Sequence, residues 1–210
     1  RFVVRSVALA AALFFLSGPS LARDFDFYVL SLSWSPSYCA AEGAEAEPAQ
    51  CASGRPYDFV VHGLWPQNES SYPEFCDRSP EWVPRNLVDS MLDLMPSKRL
   101  IVHEWKKHGT CAGLSAADYF ALVRNVRTRI EIPAAYVKVD DWKTVSPGAV
   151  ETEFRRANPG LTADAIAVTC DNRHLREVRI CMTRDLDFRP CPQVDRRACR
   201  RQNVVMPPVR

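Results

Sequence analysis

An α+β fold is the prediction from this sequence: strand-like segments lie at both ends of the chain, a block with helical spacing separates them, and no internal repeat suggests a second unit. The 210 residues suit one domain with a sizeable core. A composition 47% hydrophobic and 25% charged fits a globular protein, and a net charge of +2 argues neither for nor against a polyanionic partner.

The chain opens with Arg1 and Arg5, then an apolar run from Val7 to Leu16 and small residues spaced as Ser20-Leu21-Ala22. This pattern predicts a secretory signal peptide over 1–22 and a mature domain over 23–210 beginning at Arg23. The run is shorter than the ~20 apolar residues that cross a bilayer. The expectation is therefore a secreted or periplasmic protein without membrane attachment after cleavage. Cysteines agree with export: eight lie at 39, 51, 76, 111, 170, 181, 191 and 199, an even number, none in a C-x-x-C pair. They read as four disulfides rather than a zinc site, and spacing alone leaves on the order of a hundred connectivities open.

Within the mature chain, 25–33 alternates apolar and polar residues, which predicts a half-buried strand. The stretch 35–56, rich in Ala, Glu and Pro, predicts a loop. A second strand is expected at 57–63, stopped by Pro66, with a loop to Pro84. Leu87, Met91, Leu94 and Met95 share a helical face over 86–95, ended by Pro96, and another helix over about 98–108 closes at Gly109. Ser115 and Asp118 resemble a capping box ahead of the stripe Tyr119, Leu122, Val123, Val126 and Ile130. Ser146-Pro147 predicts an N-cap and first-turn proline for a helix to Ala157. Strands return at 165–170 and 175–182, with a short piece near Phe188; in 175–182, alternation predicts one buried face.

The chemistry concentrates in two segments that hold three of the four histidines. One is Phe59-Val60-Val61-His62-Gly63-Leu64-Trp65-Pro66-Gln67; the other is Ile101-Val102-His103-Glu104-Trp105-Lys106-Lys107-His108-Gly109-Thr110-Cys111. His174, in a polar turn, reads as an ordinary surface residue. On a helix, His103, Glu104, Lys107 and His108 are joined by spacings of three and four and share one sector. Two imidazoles, a carboxylate and an ammonium there could bind a phosphate and move protons. The His103-Glu104 pair also resembles a zinc-protease motif, but that motif needs histidines at i and i+4, about 40° apart. Here they stand at i and i+5, about 140° apart. Trp65 fits either a stacking platform for a base or ribose or a core aromatic.

Together, His62-Gly63-Leu64-Trp65-Pro66 and the segment from His103 to Cys111 resemble the two active-site segments of the ribonuclease T2 family. The likeness extends to Tyr28 through Cys39 and to Phe154 through Cys181, nearly the whole mature chain. It implies an α+β fold with a central antiparallel sheet and surrounding helices. It implies disulfides Cys39–Cys51, Cys76–Cys111, Cys170–Cys199 and Cys181–Cys191. It also implies His62, Glu104, Lys107 and His108 as catalytic residues, and His103, Trp65 and Gln67 as substrate-binding ones. Some relatives carry an acidic residue where this chain has Gln67; an amide both donates and accepts, so base preference stays open.

The expected reaction is cleavage of single-stranded RNA through its own 2′-hydroxyl, giving a 2′,3′-cyclic phosphate and then a 3′-phosphate. No metal or cofactor is expected, DNA should be inert, and the enzyme is expected as a monomer. His108 would be base and His62 acid, Lys107 with His103 would stabilise phosphoryl charge, and Glu104 would orient His108 or relay a proton. The rate should follow a bell-shaped pH profile. The rival readings are a catalytically silent RNA-binding or cytotoxic relative and an exported zinc hydrolase. Asn68-Glu69-Ser70 fits an N-glycosylation acceptor, which matters in a eukaryotic host.

Overall fold

The computed structural model describes residues 25–210. The signal peptide expected over 1–22 and the mature start at Arg23 lie outside the described residues. In chain order the elements are β1 (Phe27–Trp34), α1 (Ser35–Glu42), α2 (Pro48–Cys51), β2 (Phe59–Gln67), α3 (Arg85–Ser90), α4 (Lys98–Lys107), α5 (Ala116–Thr128), β3 (Lys143–Val145), α6 (Pro147–Ala157), β4 (Ile166–Cys170), β5 (Leu175–Met182), α7 (Pro192–Asp195) and β6 (Val204–Met206). Four strands form an antiparallel sheet in the order β2-β1-β5-β4, while β3 and β6 pair separately. The α+β class and the antiparallel sheet are as the sequence predicts.

The caps of α5 and α6 follow local chemistry. Ser115 accepts from the Asp118 N–H and Ser146 from the Ala149 N–H, each at 3.1 Å, satisfying donors that a helix start leaves free. In α4, Ser97 accepts likewise from Leu100. Their apolar sides cover one face of the sheet, where Leu30, Leu32, Trp34, Val178, Ile180, Ile166 and Val168 meet Phe120, Val123, Val150 and Phe154 in one core.

Several elements depart from the sequence reading. The 35–56 stretch holds α1 and α2 rather than a loop; Pro36 and Pro48 sit in first turns, where a missing N–H costs nothing, and the Cys39–Cys51 disulfide ties the pair. Pro66 does not stop β2, because β2 is an edge strand and needs no donor at that position. The helix expected to Met95 ends at Ser90; the Leu94 carbonyl instead accepts the Val61 N–H of β2 at 2.8 Å, a tertiary bond that periodicity does not reveal.

Neither β1 nor β5 has a single buried face. Both are central, and even Ser31 is fully buried. The second face is covered at one end by segment 191–199, where Val194 and Cys191 pack on Phe27, Val29, Ala167 and Cys181. Two disulfides, Cys181–Cys191 and Cys170–Cys199, staple that segment to β5 and β4. The remaining disulfide, Cys76–Cys111, anchors the turn after α4. The other end of this second face stays open and carries Ser33, Glu177 and Arg179.

Candidate active site

His62 owes its direction to a β-bulge. In the β1–β2 ladder Ser31 faces Gly63 and Leu32 faces Val61, so His62 is the extra, unpaired residue. Side chains alternate along a regular strand, so His62 and Trp65, three apart, would point to opposite faces. The bulge shifts the phase by one residue. His62, Trp65 and Gln67 consequently line one cavity of about 420 Å³ with His103, Glu104, Lys107 and His108 of the second segment. All seven site residues expected from the sequence thus meet in one place. A second cavity, about 500 Å³, lies beyond His62 and His103 and includes Ser33, Tyr38, Gln50 and Arg99.

Glycines allow the two segments to touch. A methyl group at Gly63 would overlap the Glu104 carboxylate and the Trp65 indole nitrogen. One at Gly109 would overlap the Trp105 ring and crowd Tyr119. Gly109 is therefore not the left-handed helix cap that the sequence suggests; its φ is not positive, and it is small because two aromatic rings close on it. Tyr119 then donates its hydroxyl to the Leu64 carbonyl at 2.8 Å, fastening α5 beneath β2.

The two histidines sit in opposite electrostatic settings. His62 Nδ1 donates to Glu177 Oε1 at 2.5 Å, and its Nε2 lies 3.7 Å from Glu104 Oε1. Burial opposes charge on His62, but the bond to Glu177 and the charges of Glu177 and Glu104 outweigh it despite Arg179, raising its pKa above 6.5. His108 is buried, and its Nδ1 has no hydrogen-bond partner among the described residues. That burial, with the charges of Lys107, His62 and His103, depresses its pKa to about 3. The two settings thus act in opposite directions, favouring the charged form of His62 and the neutral form of His108.

Trp65 stands between them, its ring 5.3 Å from His62 and 5.4 Å from His108, with its N–H given to Glu104 Oε2 at 2.8 Å. It is half-buried, with the Arg179 guanidinium 5.2 Å from its ring. Glu104 is buried, which pushes its carboxyl up to about 7 against the lowering effects of His62, Trp65 and Lys107. Its carboxylate points to His62 and Trp65, whereas the sequence reading aimed it at His108; only its backbone carbonyl bonds the His108 N–H. Lys107 is paired at 3.6 Å with exposed Glu74, a contact of the kind worth about 0–1 kcal/mol. His103 is exposed and lines both cavities. His174 is no free surface residue: it is half-buried, 3.6 Å from Asp171 and bridged to Val205.

Sequence reasoning missed Glu177 and Arg179. Arg179 donates to Glu177 Oε2 at 3.0 and 2.7 Å, leaving Oε1 for His62. Burial opposes the Glu177 charge, but His62 and Arg179 prevail and hold its pKa down to about 2. The available signal was a carboxylate and a guanidinium two residues apart, on one side of a largely buried strand. Glu177→Gln removes the charge that favours imidazolium, so the His62 pKa is expected to fall. An NMR titration of its ring protons checks this; an unchanged midpoint would contradict it.

Comparison with known proteins follows the same outline. Residues 25–191 match the Ribonuclease T2 family. A ribonuclease of Aeromonas hydrophila is 36% identical over 78% of this chain and 74% of that protein. Ribonuclease DdI of Dictyostelium discoideum is 28% identical over 84% of this chain and 82% of that protein. Among solved structures, RNase NT in complex with 5′-AMP superposes with a TM-score of 0.64 at 25% identity, covering 80% of this chain and 91% of the other. Trichomaglin, described as an S-like ribonuclease, gives 0.72 at 21% identity over 89% of this chain and 100% of the other, a likeness of fold.

Proposed function

The chain belongs to the ribonuclease T2 family and is a ribonuclease, and on that premise we propose that it cleaves single-stranded RNA by metal-independent transphosphorylation with His108 as base and His62 as acid. The observation that carries this reading is the paired setting of the two imidazoles on one cavity, His62 favoured in its charged form by Glu177 and His108 in its neutral form by burial. A base must start neutral and an acid must start charged.

His108 takes the proton of the 2′-hydroxyl as its oxygen attacks phosphorus. His62 gives its proton to the departing 5′-oxygen, and the products are a 2′,3′-cyclic phosphate and a 5′-hydroxyl. The roles then reverse: neutral His62 activates water, and protonated His108 returns its proton to the 2′-oxygen, leaving a 3′-phosphate. Lys107, with His103 beside it, stabilises charge growing on the phosphoryl oxygens. Glu104 fixes Trp65 and favours the charged form of His62. Trp65 and Gln67 contact the base or ribose in the cavity they line. The chemistry asks for no metal, and DNA, lacking the 2′-hydroxyl, is not a substrate.

The pH dependence follows from the two shifts. Activity declines as pH rises through the raised pKa of His62, above 6.5, and as pH falls toward the depressed pKa of His108, about 3. The bell is therefore broad and extends well to the acid side. The disulfides suit an oxidising compartment; with 1–22 as a signal peptide, the mature 23–210 domain acts as a secreted or periplasmic monomer.

The test incubates the mature protein with excess EDTA, single-stranded RNA and the matching DNA, and identifies the ends by mass. Cleavage of RNA alone, with cyclic phosphate ends, is expected. Loss of activity with EDTA, or equal cutting of DNA, would overturn the mechanism.

A further inference from the structure

Positive charge is unevenly placed along this chain. Residues 173–210 hold ten of the 27 Lys and Arg but four of the 25 Asp and Glu, so this stretch carries +6 and the rest of the chain −4. Some of these arginines have partners: Arg176 pairs with Asp171 and Glu42, Arg179 with Glu177, and Arg189 with Glu69. Arg196, Arg197 and Arg200 are exposed and join no ion pair among the described residues, and exposed Arg201 contacts only the neutral amide of Asn172. Within 191–201 these four cations are accompanied by one carboxylate, Asp195.

Their location gives them a use. Arg196 and Arg197 line the same cavity as His62 and His108. From there the segment runs over the covered end of the second sheet face, with Val194 and Ala198 packed on β1, β4 and β5, and the Cys199 N–H reaches the Val168 carbonyl on β4 at 2.7 Å. Disulfides at Cys191 and Cys199 bracket Arg196 and Arg197, and Arg200 and Arg201 directly follow Cys199, so the cations are held near the cavity without ordering a loose loop.

We infer that Arg196, Arg197, Arg200 and Arg201 form a phosphate-binding track for the RNA strand beyond the cleaved linkage, running from the cavity lip toward the β4 edge. The track rests on the ribonuclease reading above and adds to it: the enzyme prefers polymer over the minimal dinucleotide. Guanidinium groups suit this use, since each forks to two phosphate oxygens and stays charged at any working pH.

The test compares kcat/KM on a long single-stranded RNA and on a dinucleoside monophosphate, across a salt series, for the wild type, Arg196→Ala/Arg197→Ala and Arg200→Ala/Arg201→Ala. The polymer-to-dinucleotide ratio is expected to fall about tenfold at low salt in each double variant, with the salt slope on polymer flatter by about 1.4, at roughly 0.7 per lost phosphate contact on a single strand. Arg155→Ala/Arg156→Ala, two exposed cations at the end of α6, serves as the control for total charge and should leave the ratio unchanged. An unchanged ratio in both track variants, or an equal fall in the control, would overturn the track while leaving the ribonuclease reading intact. A wild type that cleaves neither substrate would overturn that reading and the track together.

Discussion

His108→Ala is expected to lower kcat on RNA by about 10²–10⁴-fold, the range a positioned general base contributes, with KM changed far less. The size follows from the site. His108 is buried and its pKa is depressed to about 3, which keeps it uncharged near neutrality. His103 also lines the cavity but is exposed and stands about 140° from His108 around the helix, so it does not occupy the place of the lost base. The variant should still fold, because the buried ring nitrogen Nδ1 has no hydrogen-bond partner among the described residues to be orphaned by its removal. The α4 end stays anchored by Cys76–Cys111 and by Thr110 donating to the Lys106 carbonyl. A circular-dichroism melt close to wild type together with lost turnover is the predicted pair of results. Retention of more than a tenth of the wild-type kcat would contradict the role.

Gly63→Ala should damage both the site and the fold. The added methyl group meets the Glu104 carboxylate and the Trp65 indole nitrogen inside the distance any side chain tolerates. Glu104 is buried within α4, and its escape breaks the bond from Trp65 and withdraws negative charge from His62. Overpacking of this kind costs about 1–3 kcal/mol. In a domain of this size that is a fall in Tm of roughly 5 °C. Activity is expected to drop about 100-fold, since a misplacement near 1 Å can cost that much. The same substitution at Gly148, where nothing lies within 4 Å, tests whether glycine loss alone matters; only the Gly63 variant should lose turnover.

Much of this site was legible because its chemistry is local in sequence. His103 through His108 share one helix and its end, and spacing alone assembles them. The serine caps of α5 and α6 were equally readable, being written within four residues. Other features depend on pairings across the chain. The bulge at His62 exists only in the register between β1 and β2, so alternation alone would have separated His62 from Trp65. Glu177 stands 115 residues from His62, and nothing near it in sequence names its partner. The half-buried expectation for β1 and β5 missed for a related reason: alternation tells which residues share a face, but a stapled segment from the far C-terminus decides whether the face is covered.

The assignment of base to His108 and acid to His62 is tested most directly with an RNA substrate whose leaving 5′-oxygen is replaced by sulfur. A thiolate leaves without protonation, so the general acid becomes dispensable while the base does not. His62→Ala should be crippled on ordinary RNA and close to wild type on the sulfur substrate, and His108→Ala should be crippled on both. Rescue of His108→Ala instead, or of neither variant, would contradict the account.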